Sequence, residues 1–473
     1  MGNKLGSVVG GVVVLGLAYG GASWWLGSQV ERQYQAELEK TLLRLGASKV
    51  LDRSYQRGVF EAQATTVVEV KVPAELSSDE GMAAAADGSA PEDSVRVHLV
   101  QKIRHGPFAD GRLAAAVVET RVAQVDGVSD RTRAAFAKAS PPVVTTVHDF
   151  SGGLSGQAVL PAGEISNPDL PGEDGASWQT LTYDFSRSAD HRTGRGLLDW
   201  PGGTWQVTSV RAQGQPAVYV RLGGIRSQYD VDGNPPDRWV LMPGRYRVEA
   251  GLIEMRMQGA GPDERPRTVL SLADWRSEGR VTQQGSTLVA DESGGGKAVI
   301  MDLPLERLSY VGKLDRFDQS LIQSLQELIQ SINRAADPAA VFSSGPELEP
   351  LFRNLLASRP GYSLRIEGVA EGSKALLNLN VDLQAQPDRS VSLPVRLQVL
   401  QALQAEVDLQ VPKKWQSLLE AAAGNAVGAE ADGACLLDCW AAQGLLQDTG
   451  YAYTLTAGFG ARRGLLLNGK PLM

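Results

Sequence analysis

Hydrophobic and polar residues change rhythm three times along the 473-residue chain. From Leu5 to Val30 no charged residue occurs, and Lys4 and Glu31 bracket the run. As a helix, Leu5 to Leu26 would reach roughly 33 Å at about 1.5 Å per residue. That length matches a hydrocarbon core of about 30 Å. The pattern predicts one transmembrane anchor over residues 1–30. Trp24 and Trp25 stand at its distal end, where amphipathic rings favour the headgroup zone. Gly6 and Gly10 are one helical turn apart, as are Gly16 and Gly20. Small residues at that spacing let two helices approach, which opens a homodimer through the anchor. A cleaved signal peptide is the rival reading, with Gly20 and Ala22 before Ser23. The uncharged run exceeds the usual signal core of about 7–15 residues, which favours the anchor.

Beyond residue 30 the period becomes 3.6. Val30, Tyr34, Leu38, Leu42 and Leu45 form one stripe, so a helix is expected over Glu31 to Ser48. The period then drops to two. Ala62, Ala64, Thr66, Val68 and Val70 alternate within a strand expected from Leu51 to Val72, where Gly58 marks a bulge or a close backbone approach. Val95 to Ile103 and Leu113 to Val125 alternate likewise. Between them, residues 77–94 hold Asp79, Glu80, Asp87, Glu92 and Asp93 with no Lys or Arg, the pattern of a solvated acidic loop.

Residues 141–311 read as strand and turn. The clearest strands are Trp178 to Phe185, Trp205 to Val210, Ala217 to Val220, Tyr246 to Met257 and Leu288 to Met301. Gly202-Gly203, Asp232-Gly233-Asn234 and Gly294-Gly295-Gly296 read as turns between them. The 3.6 period returns with Leu314, Phe317, Leu321, Leu325, Leu328 and Ile332, then with Leu348, Leu351, Phe352, Leu355 and Leu356. Strands are expected at 362–369 and 375–385. Val391 to Val411 reads as strand, with a helix over Leu397 to Leu409 as the alternative. Pro412 opens a helical region through Leu446, and Tyr451 to Ala457 with Leu465 to Leu467 closes the chain as a hairpin. The expected class is α+β. A single N-terminal transmembrane helix precedes an elongated, mainly antiparallel β body with a few packed amphipathic helices. Residues 31–311 and 312–473 are two parts of that body.

Composition narrows the chemistry. A net charge of −8 and a pI near 5.3 exclude a nucleic-acid partner, which requires a basic face. The two cysteines, Cys435 and Cys439, lie in a stretch read as helical, where one turn places Cα atoms roughly 6 Å apart, within disulfide range. A bridge and a pair of buried thiols both remain open. There are four histidines, His98, His105, His148 and His191, and none has helical metal-ligand spacing. Gly153-Leu154-Ser155-Gly156 is one residue short of a nucleophile elbow. Gly458 to Gly464 has the wrong spacing for a dinucleotide loop, and Asp230-Val231-Asp232-Gly233 lacks the later ligands of a calcium loop. The expectation is a non-enzymatic protein without cofactor or metal.

Two motifs carry a resemblance. Ser54-Tyr55-Gln56-Arg57-Gly58-Val59-Phe60 precedes a strand, and Ile103-Arg104-His105-Gly106-Pro107-Phe108 follows one. With the anchor, the stretch Leu348 to Leu383 and the final Gly464 to Leu472, they make the chain resemble the YdgA-like family of bacterial envelope proteins. The resemblance implies the inner membrane, a periplasmic C-terminal body and no established activity. Tyr55, Arg57, Gly58, Phe60 and His105-Gly106-Pro107 are expected to play structural roles. Two functions stay in view. The body presents an apolar surface to a lipid or hydrophobic segment, or it is an assembly partner of another membrane protein.

Two outcomes are expected. Alkaline phosphatase fused after Met473 is active, and a fluorescent protein fused there is dark; the reverse pattern places the body in the cytoplasm. Thiol labelling under denaturing, non-reducing conditions settles the cysteines, because two labelled thiols in exported protein exclude a bridge.

Overall fold

The computed structural model describes residues 47–73, 92–166, 175–190, 192–207, 217–232, 243–258, 266–334, 348–384, 394–419, 436–460 and 464–472. The chain divides into two compact units, Met1–Trp200 and Pro201–Met473.

The first unit is an antiparallel meander. Its strands are β1 (Ala47–Arg57), β2 (Glu61–Pro73), β3 (Glu92–His105), β4 (Ala116–Asp126), β5 (Val143–His148) and β6 (Leu154–Leu160). Then come β7 (Gly163–Ser166), β8 (Gly175–Trp178), β9 (Leu181–Arg187) and β10 (Thr193–Val207), which runs on past Trp200. Each of β1 to β5 pairs with its successor. β7 and β8 form a side hairpin, so β6 pairs next with β9, and β9 with β10. A short helix, α1 (Asp130–Ala135), links β4 to β5. The core lies on one face around Ala62, Ala64, Ile103, Ala116 and Val118, with Tyr55 packed against it.

The second unit repeats the principle with longer strands. These are β11 (Ala217–Asp232), β12 (Gly244–Gln258), β13 (Arg267–Gln284), β14 (Thr287–Ile300), β15 (Leu303–Asp318), β16 (Gly361–Ala370), β17 (Ser373–Leu383) and β18 (Leu403–Pro412). β19 (Gln447–Asp448), β20 (Ala452–Gly460), β21 (Gly464–Leu467) and β22 (Lys470–Leu472) complete it. Neighbours pair antiparallel from β11 to β18, then β18 with β20, β20 with β21 and β21 with β22. The last strand is three residues long and contains Pro471, which blunts an edge that other chains would otherwise extend.

Helices gather at the two ends of β15. After its C-terminal end, α2 (Gln319–Arg334) and α3 (Glu349–Ser358) pack on each other and on the strand, and α3 also meets α4 (Val395–Ala402). The Asp318 carboxylate accepts the Ser320 N–H at 2.8 Å and so satisfies a first-turn donor of α2. Near its N-terminal end, Leu303 and Leu305 join Ala298, Ala370, Val411 and Tyr453 beneath Trp415 and Leu437. Trp415 belongs to the 3₁₀ turn Lys413–Trp415, and Leu437 to α5 (Leu436–Ala442).

Glycines explain the length of these strands. Four of them lie directly opposite an aromatic residue: Gly279 faces Tyr246, Gly294 faces Tyr310, Gly156 faces Phe185 and Gly163 faces Trp178. A Cβ on Gly294, Gly156 or Gly163 would come within 2.6 Å of that ring, and one on Gly279 would overlap the Tyr246 ring outright. The ring lies flat across the strand and shields a backbone that the glycine leaves bare.

A second set of glycines forms a crease. Gly224 and Asp274 have positive φ, 62° and 53°. Gly251 lies between them and is skipped in the pairing on both sides. The apolar phase slips by one residue there. In β12 it passes from Tyr246, Val248 and Ala250 to Ile253, Met255 and Met257. In β11 it passes from Ile225 to Leu222, Val220 and Val218. One extra residue turns the pleat over, so the slip keeps the apolar side chains on one face.

These observations correct the expected fold class. The described residues are dominated by antiparallel sheet, and α+β does not describe them. Gly202-Gly203 and Gly294-Gly295-Gly296 are not turns but lie inside β10 and β14. Leu51 to Val72 is not one strand but a hairpin, turned where Gly58 N–H donates to Glu61 O at 2.8 Å. Leu314 and Phe317 belong to β15, where pairing with β14 holds them, and the helix starts only at Gln319. Val395 to Ala402 is helical, opened by Pro394, before β18 begins. Glu92 to Ser94 pair in β3, and residues 74–91 of the acidic region lie outside the described residues. No described helix is long and apolar enough to cross a membrane. The predicted anchor over 1–30 and residues 31–46 of the helix expected over Glu31 to Ser48 lie outside the described residues, and Ala47 and Ser48 already belong to β1.

Gly296→Ala tests the crease. A Cβ there would sit 2.7 Å from Ala273 O and 3.0 Å from Trp275 Cα, so backbone must move. A loss of about 1–3 kcal/mol is expected in thermal or chemical denaturation, as for other overpacked sites. Gly458→Ala, whose Cβ would meet nothing nearer than Ala405 O at 4.0 Å, is expected to leave stability unchanged.

Candidate functional site

Directly opposite residues of an antiparallel pair share a face, so register defines rows across the second unit. One row runs Tyr246, Gly279, Glu292, Gly312, Leu364, Leu379 and Val407. The next runs Ser277, Gly294, Tyr310, Ile366, Leu377 and Leu409. On the Trp415 side, Gly368 and Ala370 are buried beneath the cap, and a Cβ on Gly368 would lie 3.1 Å from the Trp415 ring. Away from the cap, Leu364, Ile366, Leu377, Leu379 and Val407 are all partly exposed, while Leu409 at the edge of this set packs against the cap cluster. The polar positions of the same strands, such as Arg365, Asn378, Glu406 and Asp408, take the opposite face.

On the near side of the crease, Glu292 is the one charged residue on this apolar face among the described positions of β11–β18 and β20. Glycine flanks it on both sides, Gly279 on β13 and Gly312 on β15. A Cβ on Gly312 would sit 2.8 Å from Glu292 Oε1. The carboxyl therefore lies down across Gly312, while the Tyr246 ring lies across Gly279. Tyr246 donates its hydroxyl hydrogen to Glu292 Oε2 at 2.7 Å. Beside this pair, Tyr310 OH and Ser277 Oγ are 2.7 Å apart, and Tyr310 stacks on Trp275 with centroids separated by 6.0 Å. Burial, then the bond to Glu292, raises the Tyr246 hydroxyl well above its usual value of 10. Burial, then Glu292 and Tyr310, also pushes Tyr362 up. The arrangement is one carboxyl set among aromatic rings, with apolar rows leading away from it.

The residues singled out in the sequence lie elsewhere. Tyr55 and Arg57 share a face in β1, opposite Ala64 and Ala62, while Phe60 sits in the β1–β2 turn and is 51% exposed. His105 ends β3, buried, and its N–H donates to Phe60 O at 2.9 Å, which joins the two motifs at one end of the sheet. Gly106 follows with φ 130° and donates to Ala115 O, and Pro107 begins the connection to β4. His105 and His148 share a row with Ala116 between them, and burial holds His148 below its usual 6.5. Cys439 lies in α5 and is disulfide-bonded, while Cys435 lies outside the described residues. Gly6, Gly10, Gly16 and Gly20 also lie outside them. No three His, Cys, Asp or Glu side chains among the described residues gather as a metal site would require.

The family model described as "Bacterial protein of unknown function (DUF945)" matches residues 3–473. The chain belongs to this DUF945 family. No curated protein and no solved structure matches it. Within this DUF945 chain, sequence reasoning missed Glu292 and its tyrosines. The signal was present, because Leu288, Ala290, Glu292 and Gly294 continue one alternating phase and place an acid where an apolar residue is expected.

Tyr246→Phe is expected to cost about 1.5–3 kcal/mol, the worth of a hydrogen bond to a charged group. The raised hydroxyl also predicts pH behaviour. Its contribution is complete below pH 10, where the unfolded tyrosine keeps its proton, and fades as pH rises further. Denaturation curves from pH 8 to 12 should therefore converge for wild type and Tyr246→Phe at the alkaline end.

Proposed function

We propose that this protein is a non-enzymatic component of the bacterial envelope, at the inner membrane with its body on the periplasmic side, as the YdgA-like resemblance implies. Its body receives an acyl chain on the open apolar face of β16–β18. The observation that carries this reading is the pair of rows through Leu364, Leu379 and Val407 and through Ile366, Leu377 and Leu409. They are apolar at all six positions, and all but Leu409, which packs against the Trp415 cluster, form a partly covered face. A contiguous, partly exposed apolar patch rimmed by polar residues supports a binding surface. The uncharged stretch from Leu5 to Val30 supports the envelope location. The family's breadth across the chain supports treating anchor region and body as one working unit.

The test uses the full chain in cells fed a fatty acid that bears a diazirine and an alkyne. Irradiation is expected to label the protein, with modified peptides mapping to β16–β18. Leu379→Glu places a charge in the middle of the row and is expected to reduce labelling to the level of a non-irradiated control. Labelling absent from wild type, or unaffected by Leu379→Glu, overturns the reading.

A further inference from the structure

We infer that the Glu292 carboxyl is a headgroup site for an amphiphile bearing a single primary ammonium, whose chain lies along the adjacent apolar rows. The inference rests on the surface reading above and adds the chemistry of the head.

Several observations converge on one group. Glu292 is the sole charge on the apolar side of the strands near it, so any cation bound on that face must meet it. Its Oε2 is taken by the Tyr246 hydroxyl at 2.7 Å. No lysine or arginine among the described residues forms an ion pair with it, and no hydrogen bond is made to Oε1. The carboxyl is therefore held in place by Tyr246 and still carries an acceptor for a donor from outside. The glycines on both sides let the carboxyl lie flat across Gly312 and the Tyr246 ring across Gly279, so no other side chain stands between Glu292 and the apolar row. Tyr310, stacked on Trp275, stands diagonally from Glu292 across the β14–β15 pair. A carboxyl ringed by aromatic side chains is suited to an organic cation, because the ring faces attract positive charge and tolerate its methylenes. Anionic heads are disfavoured, since a second negative charge beside Glu292 has no cation to balance it.

The geometry also favours an amphiphile over a free amine. The row that contains Glu292 continues without a break into Leu364, Leu379 and Val407. From Glu292 on β14 to Val407 on β18 is four strand spacings of about 4.8 Å, roughly 19 Å, a length that a common acyl chain matches. An exposed ion pair alone is worth little, so the chain supplies most of the affinity and the head supplies selectivity.

The experiment titrates the purified full-length protein, held in a detergent-free polymer disc, with two single-chain phospholipids below their micelle concentrations. One carries an ethanolamine head and the other a glycerol head on the same chain. The ethanolamine lipid is expected to bind about tenfold tighter, the combined worth of a cation–π contact and one partly screened ion pair. Glu292→Gln keeps the shape and is expected to bring the ratio to about one, with glycerol-lipid affinity retained. Tyr362→Leu keeps the apolar row and the acid and is expected to reduce the ratio part-way, which covers the case in which Glu292→Gln disturbs folding. Equal affinity for both lipids in wild type overturns the head assignment and leaves the apolar surface standing. A preference that survives Glu292→Gln overturns the role of Glu292. Competition by millimolar free ethanolamine as strong as that of the lipid overturns the amphiphile. Binding of neither lipid overturns the surface reading itself, and the head assignment with it.

Discussion

The architecture depends on how a β-strand of fourteen to eighteen residues can stay regular while glycine interrupts it. Glycine in a strand normally weakens pairing, since it orders backbone without contributing a side chain. Here the missing side chain is replaced from across the ladder. Tyr246, Tyr310, Phe185 and Trp178 each lie over the glycine opposite. The crease at Gly224, Gly251 and Asp274 solves a separate problem. It absorbs one residue in each strand and lets the hydrophobic phase slip without exchanging the faces.

The same device positions the candidate site. Glu292 could not lie flat on an apolar face if its neighbours carried side chains. Gly279 and Gly312 clear the ground, Tyr246 fixes one oxygen and the sheet's rows run on from there. A structural element and a recognition element are thus made from the same residues. Replacing either glycine would alter both at once.

Much of the strand content was legible in the sequence, because alternation at Ala62 to Val70 or Tyr246 to Ala250 is strong and local. Glycine was the source of most errors. Gly294-Gly295-Gly296 has the composition of a turn, and only the presence of Tyr310 and Trp275 on either side makes it a strand. That information is sixteen residues away in one direction and nineteen in the other, counted from Gly294 to Tyr310 and from Trp275 to Gly294. Leu314 and Phe317 fit a helical stripe equally well, and the ladder to β14 decides for strand. Glu292 was overlooked because an isolated acid between Asp291 and Ser293 looks like surface until the register assigns it a face.

The topology has a consequence for how the chain acquires its structure. From β1 to β6 and again from β11 to β18, every strand's partner is the strand just completed. Joining the ends of short loops costs little entropy, and nearest-neighbour pairing keeps contact order low for a β protein. A chain that emerges N-terminus first can add each strand to a finished edge as it appears. The exceptions are β9, which must wait for the β7–β8 hairpin to fold aside, β16, which must reach β15 across α2 and α3, and β20, which must reach β18 across α5. At the β15–β16 and β18–β20 closures a growing sheet edge stands open longest, and so there a helper protein or a wrong partner would find it.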